Sequence, residues 1–144
     1  MADLPKELQE RIALLGNDGD AFETAGDLAS ALARYGAAFN LLPEPKTDWD
    51  ASAPILSKMG TAFFLDGRFE AGADALKLAL QCAAGGVSPS IHLRLGQCEL
   101  ELDNRSAAIE HLTMVYQHGG ADMFETEDPK YLAFLKKVRP ALVR

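Results

Sequence analysis

A small residue returns on a fixed beat along this chain. Gly19, Gly60 and Gly96 each stand twelve residues ahead of a second small residue, Ala31, Gly72 and Ala108. Turn positions fall between them at Gly26-Asp27-Leu28, Gly67-Arg68-Phe69 and Asp103-Asn104-Arg105. The same register carries Tyr35, Leu76 and Leu112, then Ala38, Ala79 and Val115. Successive copies are 41 and then 36 residues apart. A period in this range marks a stacked helical array, because one such unit cannot bury its apolar face alone. Stacked helix pairs present a concave surface, so the chain reads first as a protein that holds another protein.

Apolar spacing agrees. Leu4, Leu8, Ile12 and Leu15 recur at three- and four-residue steps, the helical period. Pro5 suits a first helical turn and Gly26 a helix end. Asp27 caps a second helix, Leu28 to Leu42, which the Pro43-Glu44-Pro45 stretch stops. A polar connector over 43–50 leads to a third helix, about Trp49 to Asp66. Pro54 leaves its first turn loose or moves its start towards residue 52. Trp49 staples the start of that helix. A fourth helix spans Phe69 to Cys82 and breaks at Gly85-Gly86. Ser88 and Pro89 open a fifth, through Leu102. Asn104 turns the chain into a sixth, Arg105 to Gln117, ended by Gly119-Gly120. Asp128 and Pro129 start a seventh, to about Val138. No segment has a convincing strand period. The expectation is one all-α domain over residues 1–144: a solenoid of three helix hairpins, about 12–45, 53–86 and 89–120, plus a capping helix at about 128–139.

Composition narrows the partner. The net charge is −7, which argues against nucleic acid, since that needs a basic face. The charge is uneven: residues 1–50 carry ten acids and four bases, net −6, while 121–144 sum to +1. The N-terminal half is therefore the electrostatic face, suited to a basic partner. The stretch Met1 to Lys6 has no apolar core of a signal peptide, and no run approaches about 18 apolar residues. The expectation is a cytoplasmic protein with no membrane contact, and no cofactor. Cys82 and Cys98 lie sixteen apart with no zinc spacing, and read as small buried hydrophobes.

The pattern resembles the tetratricopeptide repeat, a helix–turn–helix unit of about 34 residues. Gly19, Gly60 and Gly96 match its small residue in the first helix. Ala31, Gly72 and Ala108 match that of the second, and Pro43 matches the closing proline. The resemblance covers residues 12–120. The third copy departs from it: Glu99 stands where Phe22 and Phe63 stand, and Asp103 replaces the turn glycine. That implies a unit adapted at its end, or a partly exposed Glu99. Ile91 to Gln97, Glu127 to Leu132 and Leu42 to Trp49 look like a group of short bacterial tetratricopeptide proteins encoded beside secreted polymorphic toxins, Rhs-type effectors included, and proposed as their immunity partners. The resemblance implies a protein partner, a cognate toxin with a basic surface.

In such arrays the first helix of each pair lines the groove. The candidate contact residues are Asn17, Asp20, Glu23 and Thr24 in the first copy, then Lys58, Thr61, Phe64 and Leu65. Arg94, Gln97, Leu100 and Glu101 complete the set. Phe64, Leu65 and Leu100 would supply burial, and Asp20 and Glu23 would meet partner Lys or Arg. Gly16 and Asp20 occupy the sites where a carboxylate-gripping groove needs basic or amide side chains, so that ligand is disfavoured. Catalytic readings find no purchase. His92 and His111 lie nineteen apart on different helices without an H-E-x-x-H, and His118 reads as a helix C-terminal residue. The expectation is a non-enzymatic binding module with no catalytic or metal residue. An extended-peptide secretion chaperone stays open as the alternative, as does homodimerisation.

Overall fold

The computed structural model describes residues 3–82 and 85–144. Met1 and Ala2, part of the N-terminal stretch read above, lie outside them. Among the described residues there are seven α-helices and no strand. They are α1 (Lys6–Thr24), α2 (Leu28–Asn40), α3 (Ser52–Leu65), α4 (Phe69–Gln81), α5 (Pro89–Glu101), α6 (Arg105–Gly119) and α7 (Pro129–Val138). Short 3-10 turns lie at Lys46–Asp48, Gly85–Val87 and Gly120–Phe124. Helices α1 with α2, α3 with α4, and α5 with α6 form antiparallel hairpins, and each hairpin packs on the next through α2 with α3 and α4 with α5.

The recurring glycines mark the crossings. A Cβ on Gly19 would enter the Tyr35 ring, and one on Gly60 would enter the fork of Leu76. On Gly96 it would sit 2.8 Å from Leu112 Cδ2. The partners are therefore the large residues of the same register, one per hairpin, each buried. Ala31 and Ala108 are fully buried, and a Cβ on Gly72 would lie 3.2 Å from both Cys98 Sγ and the Gly60 carbonyl oxygen. Close helix approach is what makes these positions small.

The three hairpin turns share one construction. The amide of Asp27 donates to the Phe22 carbonyl at 2.9 Å, Arg68 to Phe63 at 2.8 Å, and Asn104 to Glu99 at 2.8 Å. Each is the six-residue bond that closes a helix through a left-handed residue. That residue is Gly26 (φ 82°) or Gly67 (φ 75°), and Asp103 (φ 64°) in the third hairpin. Asp27 alone of the three following residues also caps with its side chain, accepting from the Ser30 amide at 3.1 Å.

Packing between hairpins is continuous. Ile12, Ala38, Leu42 and Ile55 join the first to the second, and Leu56, Leu76, Ile91, Leu95 and Cys98 join the second to the third. Leu93, Leu112 and Val115 then meet Phe124, Tyr131, Leu135 and Val143 of the C-terminal segment. That segment covers the end of the array, where an apolar face would otherwise meet water. Burial raises the Cys98 thiol to about 12, in keeping with a packing role.

The structure decides between two pairs of alternatives that the sequence left open. Helix α3 begins at Ser52, because Pro54 then falls in the first turn, where its missing N–H leaves no bond unmade. Trp49 remains extended and half-buried before it, its indole N–H donating to the Pro43 carbonyl at 2.8 Å. Glu99 is buried, not partly exposed: Lys77 Nζ lies 3.3 Å from its Oε1, and Asn104 donates to its Oε2 at 2.8 Å.

Two glycines separate crossing from propensity. Gly60→Ala is expected to cost about 1–3 kcal/mol by overpacking. Gly36→Ala, with nothing within 4 Å of the added methyl, is expected to add about 0.5–1 kcal/mol of helix propensity. Urea midpoints moving in opposite directions would bear this out; matching shifts would refute the crossing. Asp103→Gly should raise stability by about 0.5–1 kcal/mol, by relieving a left-handed side-chain residue. Calorimetric melting reads that gain.

Candidate protein-binding groove

The first helices of the hairpins, α1, α3 and α5, line one side of the array, and their groove-facing residues divide into two groups. Over α1 and α3 the surface is open. Asn17, Thr24 and Leu65 are exposed, and Asp20, Glu23, Lys58 and Thr61 are partly so. Leu65 keeps 52% of its surface, an apolar side chain of the predicted set left facing water.

Asp20 holds this open half together. It accepts from the Tyr35 hydroxyl at 2.8 Å and from Lys58 Nζ at 2.9 Å, so it bridges α1, α2 and α3. Burial pushes its pKa up, but the Lys58 and Tyr35 hydrogen bonds outweigh that and keep the carboxyl below its usual range. The pair is about half exposed, so its ion-pair energy is about 0–1 kcal/mol. Its value is positional: Lys58 is drawn over Gly16, its Nζ 3.9 Å from where a Cβ on that residue would lie, an ordinary contact.

Glu23 is the contrasting acid. No ion pair engages it among the described residues. Burial first, and then the Asp20 charge, raise its pKa, while Arg94, Lys58 and the Tyr35 hydroxyl pull the other way. An acid raised in this way gains from an incoming cation, which offsets both the lost hydration and the repulsion from Asp20.

Over α5 the predicted groove is filled by the chain itself, which corrects the expectation for Arg94, Gln97, Leu100 and Glu101. Glu127, just ahead of α7, accepts from Arg94 Nη1 and from Gln97 Nε2, each at 2.8 Å. Gln97 is fully buried, and Arg94 also donates to its Oε1 at 2.8 Å. Glu101 takes the Tyr131 hydroxyl at 2.8 Å and the Lys130 ammonium at 2.6 Å. Leu100 packs into the cluster under α7. Phe64, expected as a free anchor, is also committed. Its ring lies 5.7 Å from that of Phe69 and 6.3 Å from that of Tyr131, with the Arg94 guanidinium 4.8 Å from its centre.

At the junction of open and closed halves lies a hollow of about 370 Å³, bounded by Phe64, Leu65, Arg94, Thr126, Glu127, Asp128 and Tyr131. Helix periodicity could not reveal this boundary. The contacts span 30 residues or more, and Glu127 lies in a segment without helical pattern.

A second contact also escaped the sequence. His92 and His111 meet Nδ1 to Nδ1 at 2.9 Å. A signal existed: His92 lies one turn before Gly96, His111 adjoins Leu112, and those two mark the crossing. No protein-family model matches the chain, and no curated protein matches it significantly.

Glu127 offers a pH test. Burial raises its carboxyl, but Gln97 and Arg94 together hold it below the ordinary value. Its contribution is thus present above the unfolded carboxylate pKa, near 4.3, and is lost as pH falls through the folded value. Glu127→Gln is expected to cost about 1–3 kcal/mol at neutral pH, by leaving the Arg94 charge poorly paired. The gap from the parent should close in acid. Urea unfolding at neutral pH and near pH 3 measures both ends; a gap unchanged in acid would refute the charge role.

Proposed function

We propose that this chain is a tetratricopeptide-type repeat protein that binds a folded protein with a basic surface and neutralises it, as an immunity protein does a cognate toxin in the cytoplasm. The observation that carries this reading is the half-open groove. The inner face is accessible along α1 and α3 and closed over α5 by Glu127 and Tyr131. A channel for an extended peptide would use the whole length of the array. A short open surface ending in a wall suits a protruding edge of a folded domain instead. The three glycine crossings and the shared turn construction support the repeat assignment.

The electrostatics support a basic partner. Glu23 lacks a partner cation among the described ion pairs, and the first 50 residues carry most of the net negative charge. Leu65 and the hollow beside it supply a place to bury an apolar side chain. Binding energy in such interfaces concentrates in a few anchors, with charges setting orientation and association rate.

Co-expression with the product of the adjacent coding sequence tests the proposal, with growth as the readout. Rescue is expected from the parent chain. Glu23→Lys combined with Leu65→Asp should abolish rescue and weaken binding by about tenfold or more, while circular dichroism stays unchanged. Asp20 is a poorer probe, since reversing it also strips Tyr35 and Lys58 of their partner. Undiminished rescue by the double variant would overturn this surface. Tight capture of short unfolded peptides by the parent would favour the secretion-chaperone reading.

A further inference from the structure

Beyond the groove, a polar contact ties the junction of the second and third hairpins. His92 on α5 is buried, and its Nε2 lies 3.0 Å from the carbonyl oxygen of Gly86. Its Nδ1 lies 2.9 Å from Nδ1 of His111 on α6, with the rings 5.1 Å apart. Gly86 belongs to the Gly85–Val87 turn that leads from α4 into α5. This turn packs on α4 so closely that a Cβ at Gly85 would collide with the Ala79 carbonyl.

Proton accounting fixes the roles. A carbonyl oxygen only accepts, so His92 Nε2 carries its hydrogen. The neutral His92 ring then has a bare Nδ1, and His111 Nδ1 must donate to it. One further proton fits on His111 Nε2 without disturbing either bond. A second has only His92 Nδ1 to occupy, which sets two N–H groups face to face and breaks the contact. We propose that this pair is a proton-operated latch: it clamps the Gly85–Val87 turn to α5 and α6 while it holds at most one extra proton, and double protonation releases it.

The surroundings set the window. Glu99 on α5 and Glu110 on α6 favour a charged His111, whereas Lys77 on α4 and His92 itself oppose it. His118, on α6, lines the same small recess beside His92. Burial is the largest influence on His111 and lowers its pKa below the ordinary imidazole value. The unfolded chain therefore takes up protons first. Stability tied to His111 is complete above the unfolded imidazole value, near 6.5, and declines as pH falls below it, while opening of the contact awaits the second proton. Release would loosen the joint between the second and third hairpins, the joint that sets how the open groove meets its wall.

Imidazole nitrogen shifts and amide exchange test this in the full chain. Near pH 7.5, His92 should report the Nε2–H tautomer and His111 the Nδ1–H tautomer. Between about pH 7.5 and about pH 5, protection factors at Ser88 and His92 should fall by about tenfold or more relative to amides within α3. In His111→Asn the fall should vanish. The Asn amide keeps a donor at the Nδ1 position, does not titrate, and can flip to accept from a protonated His92. His111→Leu should lower protection at every pH. Pairing of opposite tautomers, or protection that ignores pH in the parent, would overturn the latch. So would stoichiometric zinc shifting both rings' nitrogens, which would make the pair metal ligands instead.

Discussion

Close nesting of a large side chain against a glycine holds this molecule together. Tyr35, Leu76 and Leu112 each fill the space a missing Cβ leaves on the facing helix. The two helices of a hairpin can then approach closely, and dispersion contacts accumulate along the seam. Everything else follows from that spacing. The turns must be tight, which calls for left-handed residues at 26, 67 and 103. The outer faces of each hairpin then carry the remaining apolar residues, and only stacking can bury them.

The third hairpin shows how a repeat adapts at the end of a stack. Its turn uses Asp103 in place of glycine, and its helix carries Glu99 where its predecessors carry Phe22 and Phe63. Lys77 from the hairpin before and Asn104 from its own turn offset part of the cost of burying Glu99, whose Oε1 accepts no hydrogen bond among the described residues. Its groove face is more polar still, with Arg94, Gln97 and Glu101 side by side. These residues would be poor core. They are satisfied by Glu127, Lys130 and Tyr131, so the C-terminal segment is selected by hydrogen bonds as well as by the apolar contacts of Leu135 and Val143. A partly buried polar arrangement of this kind fixes the directions of its hydrogen bonds as well as covering apolar area.

The proposed contact surface and the fold thus share residues unevenly along the groove. Asp20 belongs to both, since it fixes Lys58 and Tyr35 while presenting a carboxylate edge. Glu23 and Leu65 carry little of the fold and stay available. Arg94 and Gln97 are committed to the fold. The same side of the array is therefore open at one end and sealed by the chain itself at the other.

The hairpins were legible from the chain alone, because each depends on residues sixteen apart whose sizes must match: Gly19 with Tyr35, Gly60 with Leu76, Gly96 with Leu112. Turn residues and proline positions are equally local, so helix ends could be read within a few residues. Pro54 even foretold the late start of α3. The fates of Gln97 and Phe64 were not legible, and that of His92 only through its place one turn from the Gly96 crossing. Helical period assigns a face to each of them, but not what another part of the chain lays across that face. Glu127 reaches Gln97 across 30 residues, through a segment with no period of its own. Local sterics and backbone preference act within a hairpin and are written in the sequence; closure of the groove rests on polar partners that only the folded chain brings within hydrogen-bond range.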